Sequence, residues 1–163
     1  MRVLIAYATH AGSTAEIATF IASELKNHGI SAEVKEIREV IDPGEYDRLI
    51  IGGPIYVGRM KEVEEFCKQH QATIKGRLIG AFTVGMAFTG DEVKQAEARQ
   101  VLDTAIAPFS PGRLGYFAGK TDPSRLSFFE RTALKVVKAP IGDFRDWNAI
   151  RTWITGVADD LRG

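Results

Sequence analysis

Apolar positions along the chain alternate between two rhythms. Val3-Leu4-Ile5-Ala6, Arg48-Leu49-Ile50-Ile51-Gly52-Gly53 and Leu78–Val84 are near-continuous apolar runs, which read as strands buried on both faces. Arg113–Ala118 reads as a further strand. Ala32–Ile37 alternates in part, as an outer strand of a sheet does. Between these runs the spacing turns helical. Ile17, Ile21 and Leu25 place a helix from about Ser13 to His28-Gly29, with Gly29 as a left-handed C-cap. Met60 to Gln71 reads as a helix with Val63 and Phe66 inward. Asp91 caps a helix running to about Ile106, with Val93, Ala96, Val101 and Leu102 apolar. Trp147, Ile150, Ile154, Val157 and Leu161 form the stripe of a last helix lying on a sheet, capped by Asp146. Asp42-Pro43-Gly44 is a turn.

Strands that alternate with helices and are themselves apolar throughout imply a parallel sheet covered on both faces. Five strands in this rhythm fit a doubly wound α/β sheet in the order 2-1-3-4-5. Ligands of such sheets lie at the carboxyl ends of the strands, beside the topological switch point, where the loops after strands one, three and four meet. An extra segment, Gly119 to Arg145, intervenes before the last helix, an insertion at about 120–145 in a single domain spanning 1–163. Asp122-Pro123 reads as an N-cap with Pro at the first helical position. On a helix over Asp122–Lys138, the face Leu126, Phe129, Ala133, Val136 and Val137 is expected to pack inward. Arg131, Lys135 and Lys138 then look outward, with Pro140 and Gly142 stopping the helix.

The loop after the first strand, Thr9-His10-Ala11-Gly12-Ser13-Thr14, is a strand-to-helix turn of small hydroxylated residues. It aims backbone N–H groups and the positive end of a helix dipole at one spot, which suits a phosphate. A triphosphate loop needs a Lys before the Ser or Thr, and none is present. A dinucleotide fingerprint needs three spaced glycines, and only Gly12 stands here. A phosphatase-type loop needs a Cys nucleophile, also missing. Hydroxyls and amides without a cation in the loop fit a phosphate monoester held as a handle. The plainer alternative is Ser13 or Thr14 acting as an ordinary N-cap.

The second loop, Gly52-Gly53-Pro54-Ile55-Tyr56-Val57-Gly58-Arg59, has two glycines that let backbone approach a ligand, and a Tyr with a flat face for an aromatic ring. The third, Thr83-Val84-Gly85-Met86-Ala87-Phe88-Thr89-Gly90-Asp91, is placed for the ring's other side. Phe88 either stacks there or packs internally.

Thr9-x-Ala11-Gly12-x-Thr14 resembles the phosphate loop of flavodoxins, with Ala11 where the family has Ser or Thr. Gly52-x-Pro54-x-Tyr56-x-Gly58 is similar to their loop over the flavin ring. The resemblance covers nearly the whole chain and implies a flavodoxin-like fold holding FMN. It implies that Thr9, His10, Ala11, Gly12, Ser13 and Thr14 hold the phosphate, and that Pro54, Ile55, Tyr56, Val57, Gly58, Thr83, Val84, Gly85 and Met86 enclose the ring. Gly119-Lys120-x-Asp122-x-Ser124-Arg125-Leu126-Ser127-Phe128 and Gly142-Asp143-Phe144-Arg145-Asp146-Trp147 look like the branch related to menaquinone-dependent protoporphyrinogen dehydrogenase. The function implied by this resemblance is that of an electron carrier between redox partner proteins, or of an FMN-dependent oxidoreductase acting on a porphyrinogen with a quinone. A flavin-free signalling domain of the same fold would need acidic residues at the end of strand one, where Ala6, Tyr7 and Ala8 stand.

Composition narrows this further. Lys plus Arg and Asp plus Glu number 21 each in 163 residues, which gives no electrostatic case for nucleic acid. Many flavodoxins are strongly acidic. A balanced chain with a basic insertion suits an acidic partner or a peripheral membrane contact through Arg131, Lys135 and Lys138. Cys67 is the only cysteine, which fits a reducing compartment. The short apolar start does not read as a secretory leader and no run reaches membrane-spanning length, so a cytoplasmic location is expected. No His, Cys or Asp cluster has metal spacing, and no nucleophile–base pair is evident. Arg59 borders the second loop, where it is either solvated or steadies an anionic flavin.

Overall fold

The computed structural model describes residues 1–10, 12–136 and 140–163. Its elements run β1 (Val3–Tyr7), α1 (Ser13–Asn27), β2 (Ala32–Glu36), β3 (Arg48–Pro54), α2 (Lys61–Gln69), α3 (Gln71–Ile74), β4 (Leu78–Val84), α4 (Glu92–Ile106), β5 (Arg113–Phe117), β6 (Lys120–Thr121), α5 (Phe128–Val136), β7 (Gly142–Asp143) and α6 (Trp147–Arg162). Five parallel strands form the main sheet in the order β2-β1-β3-β4-β5, with β1 paired to both β2 and β3. This is the doubly wound order that the strand–helix rhythm predicts.

Successive β1 side chains enter opposite cores, as the two-residue strand period requires. Val3 and Ile5 join Ile17, Ile21 and Leu25 of α1 and Ile150, Ile154 and Val157 of α6. Leu4 and Ala6 join Val63, Phe66 and Cys67 of α2 and Leu102 and Ile106 of α4. Helix ends follow the local chemistry. At the end of α1, the Gly29 N–H donates to Lys26 O and the Ile30 N–H to Leu25 O, both at 2.9 Å, with Gly29 at φ +78°. Asp91 accepts from the Lys94 N–H at 2.9 Å and Asp146 from the Ala149 N–H at 3.0 Å, capping α4 and α6. In α4 the inward residues are Ala98, Leu102 and Ile106, with Val101 half-buried. Val93 and Ala96 face outward, because the first turns of α4 lie beside the 3-10 turn Met86–Thr89 as well as the sheet.

The insertion departs most from its sequence pattern. Asp122 accepts from the Ser124 N–H at 3.0 Å, but this cap serves a single 3-10 turn, Pro123–Arg125. Leu126 returns to extended backbone. α5 then starts at Phe128 under a second cap: Ser127 Oγ accepts from the Glu130 N–H, and Glu130 Oε1 accepts from the Ser127 N–H, both at 3.2 Å. The two caps, at Asp122 and Ser127, break the expected helix over Asp122–Lys138 in two. They also turn its faces: Phe129, expected inward, is 82% exposed, as is Val136 at 76%. Val137 and Lys138 lie outside the described residues. β6 pairs antiparallel with β7, clipping the two ends of the insertion together. No described helix is long and apolar enough to cross a membrane.

Candidate cofactor site

β1 delivers its loop beside the end of β3, where the Ala8 N–H donates to Gly52 O at 2.9 Å. Gly12 then adopts φ +89°, a left-handed conformation that favours glycine, and α1 begins at Ser13. Thr9 Oγ1 accepts from the Gly12 N–H at 3.0 Å, so the Thr9 hydroxyl braces the loop from within. No side chain caps α1. Ser13 and Thr14 are therefore not N-caps, and the N-terminus of α1 stays available to an anion. Ala11 lies outside the described residues.

The second loop is closed by a two-residue turn. The Tyr56 N–H donates to Arg59 O at 2.9 Å and the Arg59 N–H to Tyr56 O at 3.1 Å. Val57 and Gly58 between them both have positive φ, the requirement of a primed hairpin turn. Val57, β-branched at φ +51° and 84% exposed, occupies a strained backbone position at the tip. The two preceding glycines serve packing, not close ligand approach. A Cβ on Gly52 would overlap the Phe82 ring, and one on Gly53 would stand 2.8 Å from Val63 Cγ2.

In the third loop, Thr83 is fully buried and its hydroxyl donates to Gly53 O at 3.0 Å, tying β4 to β3 rather than facing a ligand. Phe88 packs toward Tyr116, with ring centroids 6.1 Å apart. Arg59 pairs with Glu64 of α2, 2.5 Å away, and does not line the cavity between the loops.

A cavity of about 460 Å³ opens where the three loops meet. Of the residues expected from sequence, His10, Ser13, Thr14, Pro54, Ile55, Tyr56, Val57, Val84, Gly85 and Met86 line it. Thr9, Gly12, Gly58 and Thr83 do not line it.

Apart from Ala87 of the third loop, the remaining wall comes from the insertion. Gly119, Lys120, Thr121 and Asp122 line the end near α1, and Leu126, Glu130, Ala133 and Leu134 roof the cavity. Sequence reasoning did not find these contacts. The one local signal was Ser127-x-x-Glu130, a capping-box spacing, but nothing in it foretells what Glu130 does next. Its other carboxylate oxygen, Oε2, pairs with His10 Nε2, so the insertion is fastened to the phosphate loop. That bond holds the Glu130 carboxyl below its ordinary pKa. His10 in turn lies on Tyr56, centroids 4.1 Å apart.

The carboxylates of Glu16 and Asp143 at the α1 end are paired. The Arg145 side chain, only 7% exposed, donates to Glu16 on α1 and to Asp143 on β7, and lies over the Trp147 ring at 4.7 Å. The Arg145 guanidinium depresses the Glu16 carboxyl pKa and brings that of Asp143 down to about 2. Arg125 approaches the same loop: a Cβ on Gly12 would stand 2.6 Å from its Nη1. Cys67 is buried away from the cavity, which pushes its thiol up to about 12 and leaves it unreactive. No metal-type cluster of His, Cys, Asp or Glu occurs among the described residues.

The cavity volume falls in the usual ligand range of about 300–1,000 Å³. One end offers hydroxyls and a helix N-terminus; the rest is largely apolar with an aromatic at the rim. This donor set fits a molecule with a phosphate at one end and a flat ring at the other, as FMN has.

A family model described as "Flavodoxin domain" matches residues 4–147. The protoporphyrinogen IX dehydrogenase [quinone] of Escherichia coli (strain K12) is 26% identical over 172 residues, covering 97% of this chain and 95% of the relative. Solved structures similar in fold include a short-chain flavodoxin associated with a non-canonical PDU bacterial microcompartment (TM-score 0.67, 16% identity, 98% of each chain). A flavodoxin from the domain Archaea gives TM-score 0.67 at 13% identity over all of both chains. Oxidised flavodoxin 2 from Bacillus cereus gives 0.62 at 17% over 98% of this chain and 99% of its own. The chain belongs to the flavodoxin domain family and is an FMN-binding flavoprotein.

Proposed function

We propose that this chain carries electrons on FMN between redox partners in the cytoplasm, with the cofactor in the cavity between the three loops and the insertion. The supporting observation is the cavity's polarity: an uncapped helix N-terminus and two hydroxyl residues at one end, apolar walls and Tyr56 at the other. FMN supplies the redox chemistry; the protein holds its phosphate, encloses its ring and sets its potential. Ser13, Thr14 and the first turn of α1 take the phosphate. Thr9 and Gly12 keep the loop in the receiving shape. Ile55, Val84 and Met86 shield the ring from water, and Tyr56, half exposed, marks the edge a partner reaches.

A second reading, a quinone-linked oxidoreductase of the protoporphyrinogen dehydrogenase type, is favoured by the roof. Leu126, Ala133 and Leu134 give the cavity a lid wall, which suits an organic substrate as well as a cofactor. Outside that lid, Phe128 and Phe129 are exposed beside Arg131 and Lys135. A short helix with exposed aromatics and cations suits peripheral contact with an anionic membrane or an acidic partner.

Anaerobic stopped-flow mixing separates the readings. A carrier, once reduced, gives up its electrons in a single turnover to a redox protein and does not turn over a porphyrinogen. Sustained porphyrinogen oxidation with menadione as acceptor would replace the carrier reading with the enzyme reading.

A further inference from the structure

The phosphate loop contains no cation, yet the phosphate of FMN is an anion carrying close to two charges. The insertion brings two from outside the loop: Arg125, which is paired to Glu16 and Asp122 at 3.6 and 3.8 Å, and Lys120. Gly119 is wedged between β4 and α1: a Cβ there would stand 3.0 Å from Val84 Cγ1 and 3.7 Å from Ser13 Oγ. The next residue, Lys120, is half-buried in the wall that also holds Ser13 and Thr14. Its backbone is held by pairing to Asp143 in β7 and by the Phe144 N–H donating to Gly119 O at 3.1 Å.

Neighbouring carboxylates have other partners. Glu16 and Asp143 are held by Arg145. Asp122, on the same wall, accepts from the Ser124 hydroxyl at 2.7 Å and lies 3.8 Å from Arg125. Glu130 is bonded to His10 and Ser127. Lys120 has no ion pair within 4.0 Å among the described residues. A half-buried lysine without a carboxylate partner, on the cavity wall that also holds Ser13, Thr14 and the start of α1, is matched to an incoming anion.

We propose that Lys120 is the counter-charge of the FMN phosphate and, with the hydroxyls of the loop, one of the residues by which this chain distinguishes FMN from riboflavin. The inserted segment is then part of the cofactor site, and Arg145, by holding Glu16 and Asp143, leaves Lys120 without a direct ion pair among the described residues. This rests on the FMN reading above.

The test is titration of the flavin-free full chain with FMN and with riboflavin, at low and at high salt, for wild type, Lys120→Ala and Lys120→Arg. A charge-assisted hydrogen bond predicts that Lys120→Ala weakens FMN about tenfold and riboflavin less than about twofold. Lys120→Arg should keep FMN affinity within about threefold of wild type, because charge and donor remain. The salt dependence of FMN binding should be shallower in Lys120→Ala. If Lys120→Ala weakens both flavins equally, or neither, while wild type still prefers FMN, Lys120 is not the counter-charge and the FMN reading stands. If wild type binds neither flavin, both fall.

Discussion

His10 and Tyr56 lie face to face, ring centroids 4.1 Å apart and planes inclined by 27°, although one follows β1 and the other β3. Together with the His10–Glu130 pair, this stack links three separate segments at the mouth of one cavity. Any ring that occupies the cavity meets Tyr56 with His10 already on one face.

Tyr56→Ala should therefore weaken FMN and riboflavin alike, by about three- to tenfold, since an aromatic contact contributes on the order of 1 kcal/mol beyond its buried area. Tyr56→Phe should keep most of that affinity. Fluorescence quenching on titration with each flavin measures both. Unchanged affinity in Tyr56→Ala would leave the ring as a partner of His10 alone.

Thr14, 1% exposed and lining the α1 end of the cavity, acts on the phosphate in this account. Thr14→Ala should cost FMN about tenfold in affinity and spare riboflavin, the difference being one hydrogen bond to a charged group. Parallel isotherms for the two flavins read this directly. Equal losses would assign Thr14 to the fold of the loop.

The Arg145 network makes stability depend on pH in acid. Asp143 titrates near 2 in the folded chain, held down by the Arg145 hydrogen bond, against an ordinary value of about 3.9 when unfolded. Between those values the unfolded chain binds more protons, so stability is complete above about pH 4 and is lost as pH falls toward about 2. Glu16 shifts in the same direction. Asp143 is 44% exposed on its side chain, so with solvent screening the effect is on the order of 1 kcal/mol, a few degrees in Tm. Melting curves of wild type and Asp143→Asn should differ most above pH 4 and converge toward pH 2. A gap that stays constant across that range contradicts the assignment.

Ser127 starts the lid helix. Removing its hydroxyl in Ser127→Ala should cost α5 about 1 kcal/mol, or roughly fivefold in local opening. Hydrogen exchange over 128–136 should speed up by that factor while the strands of the main sheet keep their protection. No change in α5 would mean that the Glu130–His10 bond, not the cap, holds the helix.

Strand order and the three loops were legible in the sequence because each depends on local pattern: apolar runs, capping residues, glycine at a turn. What the sequence concealed depends on distant partners. Gly52 and Gly53 look like ligand-approach glycines until Phe82 and Val63 are seen to need the space. Thr83 looks like a cavity residue until its hydroxyl meets Gly53 O. Phe129 looks like an inward residue if Asp122 caps one long helix, but the second cap at Ser127 rotates the face away. The His10–Glu130 pair joins positions 120 residues apart, beyond any periodicity argument.

The most direct test of the account is identification and counting of the flavin that the purified, reconstituted chain retains, by absorbance and chromatography of the released cofactor. One FMN per chain, bound in preference to FAD, is the predicted result. Retention of FAD, or no affinity of the flavin-free chain for FMN, would contradict it.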